Sequence, residues 1–197
     1  MKIINKGILT LLLTLCLTLF LTQSVELKVE ANASNALKTR YTTQTVALRA
    51  KASGKAKTIY KVKANTRLAV TKIGKSWSTV KYKGRTLYTP TKTLHKDKPI
   101  NVYPGKKFKR RGRAKWNRAS WTWYSQRVLP GRGLKIPGRH VDRRGFVCDK
   151  DGYICLASGR TNKKKKAVVA TPFGKFGKVY DTNGRNNNKW FDVYVNW

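Results

Sequence analysis

The 197-residue chain carries 44 Lys and Arg residues against 8 Asp and Glu residues, a formal net charge of +36. This length allows one ordinary domain or two small ones, and a small domain cannot bury a large core. The charge indicates polyanionic partners rather than any particular fold. Because acids are this rare, the two that stand near the end of the chain need a reason.

Residues 1–33 are predicted to be a secretory signal peptide. Lys2 and Lys6 precede an apolar stretch over residues 8–21, and residues 31–33 (A-N-A) form a small-residue cleavage site. An uncleaved membrane anchor is the alternative, because the gap between the apolar stretch and the cleavage site is long. Secretion favours anionic cell-wall polymers of the Gram-positive type as partners. We therefore expect no specific nucleic-acid partner and no membrane association after cleavage.

Residues 34–95 are predicted to form a first, all-β domain. Turn signals such as Ser53-Gly54 and Lys83-Gly84 separate its strand-like segments. These segments are residues 45–49, 58–62, 67–71 and 78–82. Short strands at intervals of about ten residues are typical of a small barrel.

Four motifs follow one another along this domain: Val46-Ala47-Leu48-Arg49, Lys63-Ala64-Asn65-Thr66, Trp77 followed by Thr79-Val80-Lys81-Tyr82, and Gly84-Arg85-Thr86-Leu87-Tyr88-Thr89. Together they resemble the bacterial SH3 domain of secreted wall proteins. The resemblance implies an SH3-like barrel that binds the peptide part of peptidoglycan. Trp77 is then a candidate substrate-binding residue, and an ordinary core or rim position is the equal alternative.

Residues 96–119 are predicted to be a basic linker. Pro99, Pro104 and Gly105 break regular structure, and residues 106–118 carry eight basic side chains. Such a run is usually solvated and flexible. It is interpreted either as a plain linker or as an arm that grips a wall polyanion, and the two roles are compatible.

Strand signals return over residues 120–197, the second predicted domain. No segment of helical length with a 3.6-residue period appears after the signal peptide. The predicted fold class is therefore all-β for both domains.

Cys148 and Cys155 flank an Asp-Gly pair at residues 151–152, a strong hairpin signal. A two-residue loop there would place the cysteines opposite each other at a separation that suits a disulfide. We predict that disulfide, with two buried thiols as the alternative. His95 and His140 show no ligand spacing relative to the cysteines, so no metal site is predicted.

Asp181 and Asp192 stand eleven positions apart near the end of the chain. Strand alternation places Asp192 on one face with Trp190 and Tyr194, and the intervening apolar residues on the other. An acid held on a strand among aromatic rings suits proton donation to a sugar. The alternatives are a turn-forming role for Asp181 and a salt bridge with a lysine for Asp192.

The segments Asp181-Thr182-Asn183 and Phe191-Asp192-Val193-Tyr194 are similar in type and spacing to the three-aspartate (3D) domain. This domain is a double-psi β-barrel shared with the membrane-bound lytic transglycosylase A family and with stationary-phase and sporulation wall proteins. Trp123-Tyr124-Ser125 resembles its opening segment, and residues 152–158 resemble the strand before the first family aspartate. Ser158, or Ala157, stands at the place of that aspartate. The resemblance covers residues 120–197 and implies a six-stranded double-psi β-barrel.

The resemblance implies that Asp192 is the catalytic acid and that Asp181 helps to hold the site. Tyr194, Trp190, Ser158 and Tyr124 are the candidate substrate-binding residues beside them. The implied activity is that of a peptidoglycan lytic transglycosylase, which needs no cofactor, and we expect a monomer. The sequence has no G-x-S-x-G motif for classical nucleophilic catalysis.

Two other functions are consistent with the sequence. One is a non-catalytic, basic wall-binding protein whose barrel has lost activity, since the first family aspartate is replaced. The other is a cationic toxin or polyanion binder in which charge carries the function and the barrel is a scaffold.

Overall fold

The computed structural model describes residues 37–125, 135–159 and 166–197. The signal peptide predicted over residues 1–33 lies outside the described residues. Residues 39–197 belong to one compact unit, in which the described residues form two β-sheets. In the part of the chain that is described, no helix is long and apolar enough to cross a membrane.

The first sheet has seven strands in the order β3-β2-β6-β5-β4-β1-β7, and a short 3₁₀ turn, Thr91–Thr93, precedes β7. Its strands are β1 (Lys38–Thr42), β2 (Val46–Arg49), β3 (Thr58–Val62), β4 (Arg67–Ile73), β5 (Trp77–Tyr82), β6 (Arg85–Pro90) and β7 (Leu94–His95). Alternate residues of β4 and β5 are buried, as expected for strands with one face on a core. The core consists of Val46, Leu48, Val62, Leu68, Val70, Val80 and Leu87.

The second sheet has eight strands, with β10-β11-β12-β15-β9-β8 in order and β14 joining β12 to β13. Its strands are β8 (Arg113–Trp116), β9 (Ala119–Ser125), β10 (His140–Val141), β11 (Val147–Cys148), β12 (Ile154–Ser158), β13 (Val168–Ala170), β14 (Phe176–Thr182) and β15 (Trp190–Val195). Two pairs are parallel, β9 with β15 and β12 with β14, whereas β12 and β15 are antiparallel. Aromatic side chains dominate the core, with the Trp121 and Phe191 rings stacked at 4.6 Å.

The prediction of an all-β protein is confirmed for the described residues, apart from one short α-helix. This helix, α1 (Gly105–Arg111), and strand β8 lie within residues 96–119, which the sequence predicts to be a linker. The later part of that segment, residues 105–116, is instead a helix and a strand attached to the second sheet, since β8 pairs with β9. The boundaries of the two predicted domains themselves stay a prediction.

One buried side chain anchors α1. Phe108 has none of its surface exposed, and its ring lies 4.6 Å from that of Phe173. The helix ends at Gly112, whose φ of 69° is left-handed and whose N–H donates to the Phe108 carbonyl. A two-turn helix with a single apolar anchor produces no hydrophobic period, which explains why the sequence pattern does not reveal it.

The predicted disulfide between Cys148 and Cys155 is wrong, because the hairpin loop is wider than the two residues that would set the cysteines opposite each other. The Asp149 carboxylate accepts hydrogen bonds from the backbone N–H groups of Asp151 and Tyr153, which fixes the wider turn. Cys148 therefore pairs with Ile154, and the two cysteines pack in different apolar clusters. Both are buried free thiols, the alternative that the sequence left open.

The two sheets share a polar and aromatic contact. The Tyr153 hydroxyl lies 2.6 Å from the Thr43 hydroxyl and donates to Gln44 at 3.0 Å. Asn65 donates to the Gly174 carbonyl at 3.1 Å. Because Tyr153 is buried in a cluster that also includes side chains of β1, β8 and β13, the sheets pack as parts of one body.

Candidate functional site

An open cleft of about 270 Å³ lies on the second sheet. Its lining residues are Tyr124, Ala157, Asp181, Thr182, Asn183, Asp192 and Tyr194. They come from β9, β12, β14 and β15 and from the turn that follows β14. The cleft therefore lies across the centre of the sheet, where the backbone is held on both sides by neighbouring strands.

Strand register places four of the site residues in one row. Thr122 is paired with Asp192, Asp192 with Ala157, and Ala157 with Asp181. A shift in the register of β12 and β14 next to Ala157 sets this alignment. The two aspartates that the sequence singles out are thus brought to one cleft, with an alanine between them.

A relay of hydrogen bonds holds Asp192. The Thr122 hydroxyl donates a hydrogen bond to Asp192 Oδ1. The same hydroxyl oxygen accepts a hydrogen bond from the Trp190 indole N–H at 3.0 Å. Because the indole can only donate, the Thr122 proton is directed to the carboxylate, which fixes the orientation of Asp192.

Asp181 is held by a phenol and a backbone amide. Tyr194 Oη donates to Asp181 Oδ2 at 3.0 Å, and the Thr182 N–H donates to Oδ1 at 2.8 Å. Burial raises the pKa of the Tyr194 phenol, and the charges of Asp181 and Asp192 raise it further. Tyr194 therefore stays protonated, and remains a donor to Asp181, at neutral pH.

The turn after β14 depends on Asn183 rather than on Asp181. The Asn183 side-chain oxygen accepts the Arg185 N–H at 3.2 Å, and Gly184 has a left-handed φ of 75°. The Asn183 N–H donates to the Ser158 carbonyl. The turn is therefore closed without the Asp181 carboxylate, which faces the cleft.

The other substrate-binding candidates are placed unequally. Tyr124 lines the cleft and is 40% exposed. Trp190 lies beside the cleft, where its indole N–H donates to Thr122. Ser158 is buried and does not line the cleft; Ala157 lies there instead. Trp77 lies at the start of β5 in the first sheet, half-buried, and is not part of this cleft.

Two further aspartates, Asp142 and Asp149, form salt bridges and have a structural role. Asp149 is 1% exposed and accepts from Lys178 at 3.3 Å and from the Tyr180 hydroxyl at 2.7 Å. Asp142 forms salt bridges with Arg144 and Lys175. Within the described ranges, neither cleft aspartate forms a salt bridge, which the sequence had left open for Asp192.

The sequence reasoning missed Thr122, although a signal for it exists. Thr122 lies two residues before Tyr124, so strand alternation puts both on the same face of β9. What the sequence does not reveal is that β9 runs parallel to β15 in the register that pairs Thr122 with Asp192. Among the described residues, no three His, Cys, Asp or Glu side chains converge as metal ligands.

Comparison with known proteins gives no relative for this chain: no protein-family model, no curated protein and no solved structure matches it.

Proposed function

We propose that this chain is a secreted cell-wall protein that cleaves peptidoglycan glycan strands in the manner of a lytic transglycosylase. The observation that carries the proposal is the position of Asp192. It projects from a central strand into an open cleft, is oriented by Thr122, and has a second aspartate across Ala157.

One acid is chemically sufficient for this reaction. Asp192 in its protonated form gives its proton to the oxygen that leaves C1 of the muramoyl residue. The resulting carboxylate then takes the proton of the C6 hydroxyl of that residue, whose oxygen bonds to C1 and closes a 1,6-anhydro ring. Because the nucleophile belongs to the substrate, the reaction needs no second catalytic carboxylate and consumes no water.

The remaining residues of the cleft have supporting roles in this proposal. Asp181 lies across the cleft, where its negative charge stabilises the positive charge that develops on the sugar ring. Tyr194 keeps Asp181 in place through its hydroxyl. The exposed ring of Tyr124 offers an apolar face against which a sugar can pack.

The finer fold belongs to the same proposal. The two parallel pairs in the second sheet support a double-psi barrel, and the antiparallel order β6-β5-β4 in the first sheet supports an SH3-like barrel. The double-psi barrel would be the catalytic module and the SH3-like barrel the wall-targeting module. Their partners would be peptidoglycan and anionic wall polymers.

The chemistry of the product tests the proposed reaction. Purified peptidoglycan is digested in water enriched in heavy oxygen, and the released fragments are analysed by mass spectrometry. A transglycosylase gives 1,6-anhydro ends that carry no label. Labelled reducing ends would identify a hydrolase and would overturn the mechanism given above.

Ala157 favours a second candidate, a non-catalytic wall-binding protein. The residue between the two acids has a methyl group, where a further carboxylate would complete a three-aspartate site. This candidate predicts that the protein sediments with purified walls and is released by salt, while the glycan strands remain uncut.

A further inference from the structure

The ring of Trp190 carries two arginines beside the acid cleft. The guanidinium carbon of Arg185 lies 4.1 Å from the ring centroid, and that of Arg113 lies 4.7 Å from it. Arg113 belongs to β8 and is paired with Thr122, whereas Arg185 belongs to the loop between β14 and β15. Two segments far apart in the sequence thus converge on one indole.

This arrangement holds like charges close together. The two guanidinium carbons can be no further apart than the sum of their distances to the ring centroid, and unit charges at such a separation repel. Among the described residues neither arginine forms a salt bridge with a carboxylate. Stacking on the indole offsets part of the repulsion and fixes the two planar groups in position. A bound anion would remove the rest.

Further basic side chains extend the positive surface on both sides. Lys115 lies two residues beyond Arg113 on the same face of β8, and with Arg118 it lines an open depression of about 450 Å³. We call Arg113, Lys115, Arg118 and Arg185 around Trp190 the cationic face. Helix α1 leads directly into β8, and all five of its Lys and Arg side chains are exposed because Phe108 alone faces inward.

The cationic face fits a polymer of phosphodiesters. A guanidinium group donates two parallel hydrogen bonds to a phosphate, and a row of arginines and lysines matches a chain with a repeating charge. Single-stranded nucleic acid is a poorer fit, because its binding relies on free aromatic faces for base stacking. Here the Trp190 ring is already engaged by two guanidinium groups.

We infer that the cationic face is a binding site for a polyol phosphate polymer, a linear phosphodiester without bases, located beside the acid cleft. The inference rests on the proposed function only for the wall location of this partner. Binding of the polymer there would hold the protein on the wall with the cleft turned towards the neighbouring glycan strands.

Binding of soluble poly(glycerol phosphate) to the full protein tests the inference, with the dissociation constant measured over a range of salt concentrations. The double variant Arg113→Gln/Arg185→Gln is expected to bind roughly tenfold more weakly and to reduce the slope of log affinity against log salt by about 1.4, or about 0.7 for each phosphate that is no longer neutralised. The matched control, Arg67→Gln/Arg85→Gln, removes two exposed charges from the first sheet and is expected to bind like the wild type.

Two comparisons make the test specific. Trp190→Leu keeps every charge but removes the ring that fixes the two arginines, so we expect weaker binding than in the wild type at the same salt; thermal unfolding is followed to check that the variant is folded. Equal losses of affinity in both double variants would show a general charge effect and overturn the inference. Tighter binding of a single-stranded oligonucleotide with the same number of phosphates would also overturn it. The polymer contains no glycan, so none of these results depends on whether the protein cleaves peptidoglycan.

Discussion

At the scale of single residues, the partners of each carboxylate distinguish the structural acids of this protein from those that face the cleft. Asp142 and Asp149 form salt bridges with basic side chains, whereas among the described residues Asp181 and Asp192 form none and accept hydrogen bonds from the hydroxyl groups of Tyr194 and Thr122. A hydroxyl orients a carboxylate without adding a positive charge. The cleft acids are therefore positioned and remain available to a substrate.

The Tyr194 hydroxyl gives a prediction at this scale. Burial holds the pKa of this phenol above the usual value of about 10. Above about pH 10 the folded state therefore keeps a proton that the unfolded state loses. The stability that depends on this proton is complete below about pH 10 and declines as the pH rises further. Tyr194→Phe should lower the free energy of unfolding at pH 7 by about 1 kcal/mol and make the alkaline decline shallower.

Urea unfolding at a series of pH values measures both effects. Tyr88→Phe, which changes a half-buried tyrosine of the first sheet, is the matched control. A variant at position 194 whose alkaline decline is as steep as that of the wild type would contradict this account of the phenol.

The two cysteines give a second residue-scale prediction. Burial raises the pKa of Cys148 to about 11 and raises that of Cys155 as well, so little thiolate is present in the folded protein near neutral pH. A thiol reagent at about pH 8 should react with neither cysteine until the protein unfolds, and a reductant should leave the melting temperature unchanged. A melting temperature that falls on reduction would indicate a disulfide after all.

At the scale of elements, the sequence predicts what depends on local alternation and misses what depends on long-range pairing. The apolar face of β15 and the opposite placement of Asp192 follow from alternation, and the structure has both. The parallel register of β9 and β15 joins residues about seventy positions apart, and no local pattern encodes it. The hairpin register at Cys148 was missed because it depends on the Asp149 side chain, which changes the length of the loop.

Helix α1 is the element that is hardest to predict from composition, because its run of basic residues is typical of a flexible linker. If Phe108 anchors it, Phe108→Ala should lower the free energy of unfolding by about 3–5 kcal/mol, through reduced burial and the cavity beside Phe173. Lys109→Ala, at an exposed site of the same helix, should leave stability within about 0.5 kcal/mol of the wild type. Denaturant unfolding measures both variants, and equal stabilities would restore the linker interpretation.

At the scale of the whole molecule, the two sheets of the described chain behave as one body because side chains near both of them pack together. Tyr153, just before β12, hydrogen-bonds to Thr43 and Gln44 in the turn between β1 and β2, and its ring packs in a cluster to which both sheets contribute. We expect one unfolding transition, with fluorescence and circular dichroism giving the same midpoint. Tyr153→Phe should lower that midpoint without dividing the transition, and two separate transitions in the wild type would contradict a shared core.

The central claim is that Asp192 is the acid of a glycan-cleaving cleft, and the rate at which 1,6-anhydro ends form from purified peptidoglycan tests it most directly. Mass spectrometry quantifies these ends for the wild type, for Asp192→Asn and for the control Asp97→Asn, which changes a more exposed carboxylate outside the cleft. The account predicts that Asp192→Asn lowers the rate by at least about 100-fold and that Asp97→Asn leaves it unchanged. A fully active Asp192→Asn variant would contradict it, as would a wild-type protein that forms no anhydro product anywhere between about pH 4 and about pH 8.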